Sequence, residues 1–240
     1  MIGRGTVILA CGFISCIASP VIAQLKVEKR ADLSQPVTLG PDQGAIVLGF
    51  RRPDKMSSGK SGSVAFAHYD IAKRDVIFQP RDAKKKGDTT TYWVVAASGD
   101  RKLPLDHDIM VVTAGDYVLF GATPGPGLIT NSFCLGAPTF TVKAGEAVYV
   151  GDFTPYIMAK MADGRRGMAM AYSVHPDDAA KALEKQPGLA GRLKLANIRD
   201  GATFACAAQE MTAYIAPGAP ILEPVVTPAE APPQPAAAPH

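Results

Sequence analysis

Asp106-His107-Asp108 is the densest group of possible metal ligands in the sequence. Two carboxylates and an imidazole in a surface loop can hold Zn²⁺ or Ca²⁺. His68-Tyr69-Asp70 offers a second imidazole and carboxylate, two residues apart and therefore on one face of a strand. A histidine–carboxylate pair binds metal or acts as a base. If both segments converge in one concave pocket, they suit a metal-dependent hydrolase built on His68, Asp70 and the Asp106–Asp108 loop. The plainer reading is a solvated loop at 106–108, since three adjacent residues seldom all point inward, and ordinary strand-end polarity at 68–70. No Ser or Cys nucleophile pattern accompanies either segment, and no cofactor follows from the sequence.

Other residues favour contact over chemistry. Lys84-Lys85-Lys86 can touch anionic lipid or polysaccharide, although Asp82 and Asp88 dilute the charge and such short runs are usually solvated turns. Tyr92 and Trp93 are adjacent on a segment of high β-propensity, so one ring faces a core and the other faces out as a possible partner contact. The two prolines of Thr123-Pro124-Gly125-Pro126-Gly127 remove the backbone donors a phosphate loop needs.

The compartment is read from the amino terminus. Arg4 precedes an apolar run from Val7 to Ile17, Ser19-Pro20 breaks it, and Val21-Ile22-Ala23 fits a cleavage site. Residues 1–23 therefore read as a signal peptide, too short to span a membrane and removed on export to the periplasm or envelope. Lipidation at Cys16 is the alternative, but Phe13 stands where Leu or a β-branched residue is usual. Cleavage also removes Cys11 and Cys16, leaving Cys134 and Cys206 as an expected disulfide in an oxidising compartment. On the chain-entropy model a bridge of that span stabilises by about 4 kcal/mol. Lys and Arg number 25 against 22 Asp and Glu, a balance that excludes nucleic acid as the main partner.

The elements that would position these residues are short strands. Ala45–Phe50, Val64–Asp70, Asp75–Pro80, Thr89–Ala97 and Ile109–Val112 are apolar or β-branched runs between turn residues. Ala114-Gly115-Asp116 and Ala144-Gly145-Glu146 each lead into an apolar strand, with the Gly expected at positive φ. Asp163-Gly164 between two apolar arms signals a hairpin. The period then changes: Asp177-Asp178 opens one helix and Leu189–Asn197 a second. The expected organisation is a polar extension over 24–43, a β-sandwich over 44–174, a helical appendage over 175–215 and a disordered Pro/Ala-rich tail over 216–240.

The segment from Gly44 to Phe153 resembles a loose bacterial family of secreted or lipid-anchored prealbumin-like sandwich proteins of unknown function. Ala45–Phe50, Gly115-Asp116-Tyr117 and Gly145–Gly151 carry the resemblance. It implies a prealbumin-like sandwich and brings no catalytic residues; the fold expected is mainly β, an antiparallel sandwich of prealbumin or immunoglobulin type, to which this chain adds two short C-terminal helices where the family's smaller members stop. The function expected is a non-catalytic extracytoplasmic binding or cell-envelope interaction protein, its partner an envelope protein or glycan, with the metal-dependent hydrolase as the alternative.

Overall fold

A computed structural model describes residues 31, 33–51, 62–97, 105–123, 131–160, 164, 166–206 and 210–223, and of 155–160, 166–170 and 210 the backbone alone. The signal segment and residues 224–240 lie outside the described residues. Strands β1 (Gln43–Arg51), β2 (Ser63–Asp70), β3 (Asp75–Val76), β4 (Trp93–Ala97), β5 (Leu105–Thr113), β6 (Gly115–Thr123), β7 (Asn131–Val142), β8 (Ala147–Lys160) and β9 (Arg166–Ser173) come first. Helices α1 (Pro176–Leu183) and α2 (Pro187–Ala190) follow. Then β10 (Leu193–Leu195), β11 (Arg199–Ala202) and β12 (Glu210–Ala213) return to the sheets.

The protein is mainly β, as the apolar runs foretell. One sheet has the order β10-β8-β1-β5, with β9 also on β8; the other runs β11-β7-β6-β2-β3, with β12 on β7 and β4 on β2. Phe66 of β2 stands edge-on to Phe140 of β7 (5.5 Å) and to Phe153 of β8 (6.3 Å), joining the two sheets across a shared core.

The sheets are mixed, which corrects the antiparallel expectation. β8 runs parallel to β1, β10 parallel to β8, and β12 parallel to β7. Parallel neighbours need a long crossover, and the strands between β1 and β8 supply it. The two enter side by side through one turn: Gly145 N–H donates to Gln43 O (2.7 Å) and Ala45 N–H to Glu146 O (2.8 Å).

β1 is buried on both faces, the usual reason for a continuous apolar run. Ile46, Leu48 and Phe50 face the inter-sheet core. Ala45 and Val47 face outward, into a second cluster with Ile109, Tyr149 and the helix residues Ala179, Leu183 and Leu189. The helices thus form a third layer. The 33–39 segment straps it down: buried Gln186 donates from Nε2 to Leu33 O (3.1 Å) and Gln35 O (3.3 Å), while its Oε1 accepts from Val37 N–H (2.8 Å).

Other expectations shift. Leu193–Leu195 is not helical; it finds the open edge of β8 and becomes β10, a tertiary override of local periodicity. Residues 175–215 are therefore a helix pair followed by strands of both sheets. Ala216 and Leu222, inside the span expected to be tail, are buried. Gly145 (φ +78°) holds the left-handed conformation foreseen, but Gly115 does not. Gly115 is needed for space: a side chain there would collide with the His68 ring.

Candidate functional site

The site is built by a bulge in β8. Val47 pairs with Tyr149, but Gly49 pairs with Asp152, so β8 carries one extra residue. Gly151 takes it up at φ +110°, with the Tyr172 ring against its Cα where a side chain would otherwise stand. The bulge resets the alternation. Val150 and Phe153 both face the inter-sheet core, while Tyr149 and Asp152, three residues apart, both face the helix layer.

Asp152 is fully buried, and its carboxylate takes four hydrogen bonds. Oδ2 accepts from Arg51 Nε (3.0 Å) and Nη2 (2.7 Å) and lies 3.0 Å from His175 Nδ1. Oδ1 accepts from the Tyr149 hydroxyl (2.7 Å), which itself accepts the backbone N–H of His175 (3.1 Å). Arg51 Nη2 also donates to Asp178 Oδ2 (2.8 Å), so one nitrogen bridges two carboxylates. His175 is the N-cap of α1 and Asp178 lies in its first turn, which fastens the helix to the ends of β1 and β8.

The charges are mutually adjusted. Burial works against the Arg51 charge, but its bonds to Asp178 and Asp152 outweigh it and raise the pKa. The same bond holds the Asp178 carboxyl below its ordinary range. Burial, reinforced by the Asp152 carboxylate, raises the Tyr149 hydroxyl and keeps it a donor. Ligand atoms of Asp152, His175 and Asp178 lie within 4.8 Å of one another, a spacing suited to one metal ion. The Asp152–His175 pair also orients an imidazole as in general-base sites.

The residues singled out by sequence disperse. The 106–108 segment is part of β5, not a surface loop, and strand alternation splits it. Asp106 and Asp108 pair with Phe50 and Leu48 and face the inter-sheet side, where Asp108 Oδ2 accepts the N–H of Ala97 (3.0 Å). His107 pairs with Gly49 and faces the helix layer. Asp70 closes the turn after β2 by accepting from Lys73 N–H (2.9 Å) and pairing with its ammonium (3.1 Å). His68 stacks on Tyr117 (5.2 Å, 13°) in the other sheet, its Nδ1 buried without a hydrogen-bond partner. Burial pushes the Tyr117 hydroxyl up to about 12, and it donates to Thr113 O (2.8 Å). His68 and His107 thus belong to opposite sheets and share no ligand group.

Lys84, Lys85 and Lys86 are exposed in a turn where Lys86 pairs with Asp82 (2.6 Å). Trp93 is the buried ring of its pair, packed edge-on to Phe120 (4.2 Å); half-buried Tyr92 donates to Asp88 Oδ2 (2.6 Å). Cys134 and Cys206 are bonded, with Cα atoms 5.2 Å apart, and tie the segment after β11 to β7. Among the described residues no helix is long and apolar enough to cross a membrane.

Arg51, Tyr149, Asp152, His175 and Asp178 were not read from the sequence as a group. The available signal was a lone carboxylate, Asp152, inside an apolar strand, because a buried charge needs a partner. The chain matches no family model, no curated protein and no solved structure.

Proposed function

We propose that the chain is an exported, non-catalytic binding or cell-envelope interaction protein, acting outside the cytoplasm on an envelope protein or glycan. Cleavage after Ala23 releases it, in preference to lipidation at Cys16. The leader pattern of residues 1–23 supports export, and so does a disulfide that an oxidising compartment would preserve. The resemblance to prealbumin-like sandwiches fits two sheets sharing one core, with the helix layer as this chain's addition.

One observation carries the interaction reading. Leu135 of β7, Met211 of β12, and Ile215 and Ile221 beyond it are 61, 56, 59 and 64 % exposed, all on or beside the disulfide-tethered end of the chain. Large apolar side chains left in water are what a partner surface requires. The Lys84–Lys86 turn adds a positive contact suited to acidic glycans.

The test is capture from an envelope extract with residues 24–240, beside a variant carrying Leu135→Ser, Met211→Ser, Ile215→Ser and Ile221→Ser. A partner retained by the first and lost by the second is expected. Equal capture by both, or by neither, removes these four side chains as the binding surface. N-terminal sequencing of protein from the native envelope checks cleavage: a chain beginning at Gln24 is expected, and an intact leader on cytosolic protein would overturn export.

A further inference from the structure

We infer that the side-chain group next to Gly49 is a site for a divalent transition-metal ion, held by Asp152, His175 and Asp178 with His107 on the same sheet face, and that Arg51 and the ion are alternative counter-charges for the two carboxylates. This goes beyond the interaction reading and does not depend on it.

The donor set comes first. Two carboxylates and an imidazole suit Zn²⁺, Co²⁺ or Ni²⁺ better than Ca²⁺ or Mg²⁺, which take oxygen ligands almost alone. Ligand atoms of all three residues already lie within 4.8 Å of one another. Metal–ligand bonds of about 2.0–2.1 Å place tetrahedral ligands about 3.3 Å apart, so the group needs to contract by at most about 1.5 Å. His175 and Asp178 are partly exposed at the end of a short helix, and can make that movement.

The buried ligand is already oriented. The Tyr149 hydroxyl fixes Asp152 Oδ1 and leaves Oδ2 as the oxygen turned toward the cations, as outer-shell partners of metal ligands do. Arg51 Nη2 lies 2.7 and 2.8 Å from the two carboxylates, at the position a cation between them would take. Its side chain is one-third exposed, so it can leave toward solvent. Exchange of one guanidinium charge for a divalent ion brings the pair of carboxylates to neutrality.

The row across the sheet carries a second imidazole. His107, Gly49 and Asp152 are consecutive partners on β5, β1 and β8, all turned to the helix layer. Gly49 has no side chain between its neighbours, and the Asp152 carboxylate occupies that space. The row sets His107 on the same sheet face as Asp152, two strands away across Gly49.

The test uses the full chain without a polyhistidine tag, titrated with Co²⁺ and followed by its visible d–d bands. One Co²⁺ per chain, displaced by Zn²⁺, is expected. His175→Ala and Asp178→Asn, both at partly exposed positions that should leave the fold intact, are expected to weaken binding by roughly 10–100-fold, as loss of a ligand or its support does. His68→Ala should bind as the parent does. Arg51→Gln removes the competing cation and should bind Co²⁺ about tenfold more tightly, with a larger rise in Tm on adding Zn²⁺. Absence of stoichiometric Co²⁺ binding overturns the site, as does binding unchanged in both His175→Ala and Asp178→Asn. Binding lost in His68→Ala instead would place the ion elsewhere and equally overturn it.

Discussion

The carboxylate of Asp152 occupies the space where a side chain on Gly49 would begin, so the buried charge of β8 rests on the bare backbone of β1. Gly49→Ala is therefore expected to displace Asp152 from Arg51 and His175. A loss of about 1–3 kcal/mol, the usual range for overpacking, should appear in urea unfolding. An unchanged midpoint would show that the carboxylate can move without consequence.

Acid should weaken the fold through its buried imidazoles. Burial lowers the pKa of His68 and of His107 below their ordinary value of 6.5, against the opposing pull of nearby carboxylates. The unfolded chain then binds protons that the folded chain refuses, so their stabilising effect is full above pH 6.5 and is lost as pH falls through the folded values. Tm should decline as pH is taken below about 6.5. His68→Gln should make that decline shallower; an identical slope would exclude His68 as a contributor.

The Cys134–Cys206 bridge spans 72 positions and fixes the segment that brings Phe204 into the core beside Phe120. A Cys134→Ser, Cys206→Ser variant should lose about 2–5 kcal/mol, the range for native bridges of secreted domains. Limited proteolysis should then cut first between residues 199 and 223. Resistance equal to the parent's would assign that segment's order to packing alone.

Asp200 is a different kind of buried acid. Its Oδ1 accepts from Ala216 N–H (3.1 Å), while Oδ2 is buried without a hydrogen-bond partner, and burial raises its pKa. The folded state holds that proton more tightly than the unfolded one, so the group destabilises as pH rises through its folded value. Asp200→Asn keeps the acceptor and removes the charge. It should raise Tm at pH 8 and leave it nearly unchanged at pH 4, when compared by calorimetry.

Strand positions were legible because each strand shows its faces locally. Ala45–Phe50 announces burial on both sides, and Asp163-Gly164 announces a hairpin. Neighbours were not legible. Nothing in β1 or β8 states that they lie side by side and parallel, since pairing depends on shape as much as on pattern. The site was hidden for the same reason. Arg51 is 101 residues from Asp152 and 127 from Asp178, and the bulge at Gly151 that turns Asp152 outward leaves only a glycine as its trace. The adjacency of Asp106, His107 and Asp108, conspicuous in the sequence, is undone by alternation along β5. Of the three, His107 alone faces the helix layer, the side on which the group forms.

Because β10 completes the sheet begun by β1, and β11 and β12 complete the sheet begun by β2, the first sheet waits for β10 and the second for β12. Contacts between such distant parts of a chain close late and slowly. A polypeptide threaded across a membrane amino-terminus first would emerge with the edges of β7 and β8 bare, open to other chains for as long as translocation lasts.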